Sequence, residues 1–81
     1  VPTITVRFFA AAREAFGARE ARLSAGSVDE LVSALAEAAD PQAATVLSRS
    51  SFLVNSVAAT DRSAPLSDGD TVDVLPPFAG G

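Results

Sequence analysis

The sequence predicts an α+β fold: a mixed sheet with one main helix packed on one face and short extra helices beside it. Three observations predict it. Residues 3–9 and 71–75, near opposite ends of the chain, alternate apolar and polar residues with the period of a strand. Residues 27–39 carry apolar residues at helical spacing behind a strong N-terminal cap. The 81 residues show no repeat and no compositional break, which suits one domain.

Each element follows from local chemistry. In Thr3-Ile4-Thr5-Val6-Arg7-Phe8-Phe9 the β-formers place Ile4, Val6 and Phe8 inward and Thr5, Arg7 and Phe9 outward. Residues 10–16 favour a short helical turn, which Gly17 ends. Residues 18–24 read as a second strand on a weak signal, with Ala21 and Leu23 as its apolar positions. Ser27 with Glu30 three residues on predicts a capping box, and Asp29 and Glu30 suit the positive end of the helix. Val28, Leu31, Leu35 and Ala38 or Ala39 share its apolar face, and Pro41 stops it. Asp40 then caps a second short helix that starts at Pro41 and runs to about Arg49.

Phe52-Leu53-Val54 predicts a short buried strand, Asn55-Ser56 a turn, and Val57-Ala58-Ala59 a brief return strand. Residues 60–70 are loop, with Ser67-Asp68-Gly69-Asp70 a tight turn that places Gly69 at positive φ. Thr71-Val72-Asp73-Val74-Leu75 is the last strand, with Val72 and Val74 inward and Thr71, Asp73 and Leu75 outward. Pro76-Pro77 ends the sheet, because neither residue can donate to a ladder. One helix on a mixed sheet in this order is the manner of a ubiquitin roll. The expected division is a domain over residues 1–75 and an extended tail over residues 76–81.

Composition excludes much chemistry. The chain has no Cys and no His, which removes disulfides, thiolate or imidazole metal sites, a cysteine nucleophile and the commonest general base. Every basic residue is Arg, so there is no Schiff-base or P-loop lysine. The net charge of −4 disfavours nucleic acid, whose phosphates need clustered cations. Apolar runs are too short to span a membrane. No charged leader precedes the first strand pattern, so the expected location is the cytoplasm. Carboxylates, hydroxyls, Arg and the two termini remain.

The tail, Pro76-Pro77-Phe78-Ala79-Gly80-Gly81, uses one of those termini. The prolines favour an extended path, and glycines without a Cβ suit a narrow channel in another protein. An α-carboxylate with a pKa near ~3.5 is ionised and is a poor acyl electrophile until activated, for example as a mixed anhydride with AMP. If the first and last strands are parallel neighbours, Phe9 and Leu75 lie side by side where the tail leaves. Phe78 extends that apolar patch, and Arg13 is a candidate for its rim. Asp68-Gly69-Asp70 is read as turn chemistry rather than as a metal or acid–base pair.

Phe8-Phe9-Ala10 followed by Arg13-Glu14, then Val54-Asn55, Pro65-Leu66-Ser67-Asp68-Gly69-Asp70 and the Pro-Pro-Phe-Ala-Gly-Gly end resemble the MoaD/ThiS family of ubiquitin-like sulfur carriers. Within that family they are most similar to the small subunits of molybdopterin synthase. Ala58 is smaller, and the loop at 56–64 longer, than the family pattern. The resemblance implies a ubiquitin-like β-grasp roll and a carrier with no catalysis of its own, working inside a synthase complex. It implies that an E1-like enzyme adenylates Gly81 with ATP and that a persulfide donor supplies sulfur. The resulting thiocarboxylate on Gly81, with Gly80 beside it, would enter the large synthase subunit and donate sulfur to the pyranopterin precursor. Phe9, Arg13, Leu75, Pro76, Pro77, Phe78 and Ala79 would form the partner interface. No cofactor is expected to be bound, and neither nucleic acid nor membrane is an expected partner. Carriers serving thiamine, cysteine or tRNA thiolation share the tail chemistry. A protein-conjugating modifier and a plain binding module are the readings from other classes.

Overall fold

A computed structural model describes residues 1–77. Its elements are β1 (Thr3–Phe8), α1 (Ala11–Phe16), β2 (Glu20–Ser24), α2 (Val28–Ala38), α3 (Pro41–Arg49), β3 (Ser51–Val54), β4 (Val57–Ala58) and β5 (Thr71–Leu75). The strands form one sheet in the order β2-β1-β5-β3-β4. β1 and β5 are parallel, in the register Val6↔Val72 and Phe8↔Val74, and the other pairs are antiparallel.

The core is built from the two periodicities. Ile4, Val6, Phe8, Val72, Val74 and Phe52 project from one face of the sheet, and all are buried. Val28, Leu31 and Leu35 from α2 and Leu47 from α3 meet them. Burial of one such side chain stabilises the fold by roughly 1.5–3 kcal/mol. Phe16 stacks on Phe8 with ring centroids 4.8 Å apart, which seats α1 over the end of β1. β2 is an edge strand, and its inward Ala21 and Leu23 are only half-buried. Thin burial is why its pattern in the sequence is weak.

The caps are those expected, with one difference. Ser27 Oγ accepts the Glu30 N–H at 3.2 Å, Asp40 Oδ1 accepts the Ala43 N–H at 2.8 Å, and Gly17 closes α1 at φ 69°. The reciprocal half of the capping box is not made among the described residues. Glu30 lies instead over Gly26, where a Cβ would meet its Oε2 at 2.9 Å. The buried face of α2 ends at Leu35. Ala38 is exposed and Ala39 is half-buried just past the helix.

The strand turns are tied at one end of the sheet. Asn55 and Ser56 both have positive φ (49° and 71°), as a type I′ hairpin turn needs between β3 and β4. The Asn55 amide donates to Asp70 Oδ1 at 3.0 Å, and its Oδ1 accepts the Thr71 N–H at 3.0 Å. Asp70 Oδ2 accepts the Ser67 N–H at 2.8 Å, and Asp68 Oδ1 accepts the Thr3 N–H at 2.8 Å. One short network thus clamps the starts of β1 and β5 to the end of β3.

Two expected outcomes follow. Asn55→Ala loses both side-chain hydrogen bonds and meets the left-handed penalty, so its stability to urea falls by about 2–3 kcal/mol. Asn55→Gly keeps the backbone freedom and falls by about half as much. The second concerns pH. The Ser67 N–H, and then the Asn55 amide, hold the Asp70 carboxyl below its ordinary value of 3.8. The folded value therefore lies below the unfolded one. The contribution is whole above the ordinary value and is lost as pH falls through the folded one. Urea midpoints measured from neutral pH down to strong acid should fall more steeply in the native chain than in Asp70→Asn.

Candidate functional site

The helices cover one face of the sheet, and the other face carries the candidate site. Strand register sets its side chains in rows. The middle row runs Glu20, Arg7, Asp73, Leu53 and Ala58 across the five strands. One pleat repeat nearer the end of β5 lie Phe9, Leu75 and Ser51, with Ser51 opposite Leu75 and the Phe9 N–H donating to the Val74 carbonyl at 3.3 Å. Phe9 and Leu75 are both half-buried. The patch expected from strand parity is thus formed by neighbouring strands at the end from which residue 76 departs.

Arg7 and Asp73 make the strongest polar contact on this face. Arg7 Nε lies 2.7 Å from Asp73 Oδ1, and Nη2 lies 3.0 Å from Oδ2, a bidentate fork. The Arg7 guanidinium sits 5.4 Å from the centre of the Phe9 ring. Phe9 thus shares the outer face with Arg7. The hydrogen bond Arg7 donates to Asp73, then the charge of Asp73, hold Arg7 more firmly protonated than usual, and Glu20 adds to this. Asp73 is 5% exposed although it points away from the core, because Arg7 covers it. Ala10, between Phe9 and α1, holds φ 50°, a conformation costing a non-glycine residue on the order of 1 kcal/mol or more. Its carbonyl accepts the Arg13 and Glu14 N–H groups and so starts α1 close behind the patch.

The other expected site residues separate into two groups. Pro76 is buried and Pro77 exposed, and together with Ala11, Thr45, Val46 and Arg49 they line an apolar hollow of about 110 Å³ between α1, α3 and the root of the tail. Arg13 is exposed on α1, and its side chain makes no hydrogen bond or ion pair among the described residues. Phe78, Ala79, Gly80 and Gly81 lie outside the described residues. Among the described residues no cluster of three or more acidic, His or Cys side chains could hold a metal ion. Asp68 and Asp70 are occupied in the turn.

Two features of this face were missed in the sequence. Leu53 belongs to a strand expected to be buried, yet it faces outward beside Asp73, since inward Phe52 forces its neighbour out. The second is the Arg7–Asp73 pair, whose signal in the sequence is that opposite charges stand at matching parity in two strands expected to be parallel.

A five-stranded mixed sheet with a central parallel pair, a long helix across one face and an uncovered opposite face is the β-grasp of ubiquitin-like proteins. The chain belongs to the ThiS family, whose family model matches residues 6–81. It is similar to a chain of the complex of subunits 1 and 2 of molybdopterin-converting factor from Helicobacter pylori 26695, at 28% identity over 98% of this chain and 99% of that one, TM-score 0.76. It also resembles small archaeal modifier protein 1 of Methanosarcina acetivorans in fold, at 23% identity over 99% of this chain and 97% of that one, TM-score 0.83. No match is found among curated proteins.

The site yields one stability test. Arg7→Met leaves the covered Asp73 carboxylate without its partner, so its melting temperature should fall clearly. Arg7→Met/Asp73→Leu removes both charges and should recover most of that loss, as read by thermal unfolding of the three chains.

Proposed function

We propose that this chain is a sulfur carrier whose working group is the Gly81 carboxylate, and that it serves as the small subunit of a molybdopterin synthase. The observation that carries the reading is the family match, which runs from β1 through the terminal Gly-Gly. The likeness to a molybdopterin-converting-factor chain across almost the whole length supports the choice of pathway.

The chemistry follows from the groups the chain has and lacks. An E1-like enzyme converts the Gly81 carboxylate and ATP to the acyl-adenylate and pyrophosphate. The terminal sulfur of a donor persulfide attacks the acyl carbon, and AMP leaves. A thiol then attacks the outer sulfur of the acyl disulfide, so that a disulfide remains on the donor side and the thiocarboxylate on Gly81. The thiocarboxylate delivers its sulfur to a pyranopterin precursor in the large subunit, and water restores the carboxylate. With no Cys or His of its own, the chain neither attacks its activated terminus nor captures the sulfur elsewhere. Phe9, Leu75 and Leu53 form the apolar docking face, at the end of the sheet where Pro76 follows β5. ATP and reduced thiols place this cycle in the cytoplasm.

The test is intact mass after incubation with a cognate activating enzyme, ATP and a persulfide donor. The expected gain equals the difference between sulfur and oxygen, located on Gly81 by fragmentation and absent after deletion of Gly81. The chain has no Met, Cys or Trp, so oxidation will not imitate it. No gain with a demonstrably active enzyme and donor would remove the carrier reading. Detergent-resistant adducts through Gly81 would favour a protein modifier instead.

A further inference from the structure

A partner that covers Phe9 and Leu75 must also reach Arg7, one pleat repeat or about 7 Å away on the same face. The Arg7 side chain is 46% exposed. Its Nε–H and one Nη2–H bind Asp73, and a guanidinium carries five N–H donors, so about three remain free. Burying them without acceptors is strongly unfavourable. The covering surface therefore has to bring oxygen atoms to this point.

The local charge decides which kind. Glu20 and Asp73 flank Arg7 in the middle row, and Arg22 stands one pleat repeat along β2 from Glu20 on the same face, so two acids meet two cations. An open cleft of about 330 Å³ adjoins the pair, lined by Arg7, Asn55, Ser56, Thr71 and Asp73. Asp70, gripped by Asn55, stands beside it and adds a further negative charge. A partner carboxylate would enter a region that is already negative. A neutral carbonyl or amide oxygen takes the same hydrogen bonds and adds no charge. The Ser56 and Thr71 hydroxyls make no hydrogen bond among the described residues, and they supply two further donors on the cleft wall.

We propose that Arg7, held in place by Asp73, is a specificity-determining residue that receives neutral oxygen acceptors, main-chain carbonyls or amide side chains, from the carrier's large protein partner. A partner with an apolar surface at this point would leave the donors unpaired and be rejected. The inference rests on the docking role given to this face under the proposed function, and deepens it.

The test measures affinity for the large synthase subunit of the same organism by titration calorimetry. Arg7→Met/Asp73→Leu removes the socket without stranding a charge, and thermal unfolding confirms that it folds. Its affinity should fall at least roughly tenfold, while the native affinity changes little between about 50 and about 300 mM salt. Unchanged or tighter binding by the double variant overturns the inference. A steep salt dependence that the double variant loses overturns it too, because the acceptor is then acidic. Leu75→Asp separates the two readings. If it abolishes binding while the double variant binds normally, only this inference falls. If Leu75→Asp also binds normally, or the native chain does not bind, the docking role fails and the inference with it.

Discussion

The parallel pairing of β1 with β5 is the constraint on which the rest of the structure depends. It joins strands from the two ends of the chain in the middle of the sheet, so every other element forms the crossover between them or flanks them. Ile4, Val6, Phe8, Val72 and Val74 are buried together only in this register. A slip of either strand by one residue would turn its entire apolar set toward water and its charged residue, Arg7 or Asp73, into the core. The same register makes the outer face. Once Val6 stands beside Val72, Arg7 must stand beside Asp73, and Phe9 and Leu75 follow at the end where the tail begins. Core and outer apolar patch are thus two sides of one pairing.

Much of this was legible in the sequence because it rests on short-range rules. Ser27, Asp40, Gly17 and Gly69 mark element ends through their own hydrogen bonds or backbone freedom, and they do so in the structure. The parity of β1 and β5 gave the inward and outward sets correctly. What was less legible depends on neighbours distant in sequence. The capping box is half-made because Glu30 has room over Gly26, a matter of local packing rather than spacing. The burial of Asp73 follows from a fork donated 66 residues away. Leu53 was read as core because three apolar residues in a row hide the parity that one buried Phe52 imposes.

The proposed division of labour between this chain and larger proteins suits its inventory. A domain of 81 residues has little interior to spare, and among the described residues the buried side chains are apolar apart from Ser27, Ser50 and Asp73. Its acids are engaged in turns, caps and one ion pair, or face solvent. Under the proposed function the reacting atom belongs to the chain terminus, while shape and polarity belong to the sheet. Specificity and chemistry would then be carried by separate parts, the tail being offered to different enzymes and the face deciding which of them engage.

Parallel central strands also give the molecule a polarity. β1 and β5 start at the same edge, where Thr3 is tied to Asp68, and both run toward the edge from which Pro76 departs. Thr3 and Pro76 therefore lie at opposite ends of the sheet, about seven strand residues or roughly 23 Å apart. Anything joined ahead of Val1, whether a fusion domain, a surface linker or a fluorophore, is carried at the far pole. Under the proposed function the domain serves as a handle that can be immobilised by its front without obstruction of the end where β5 finishes.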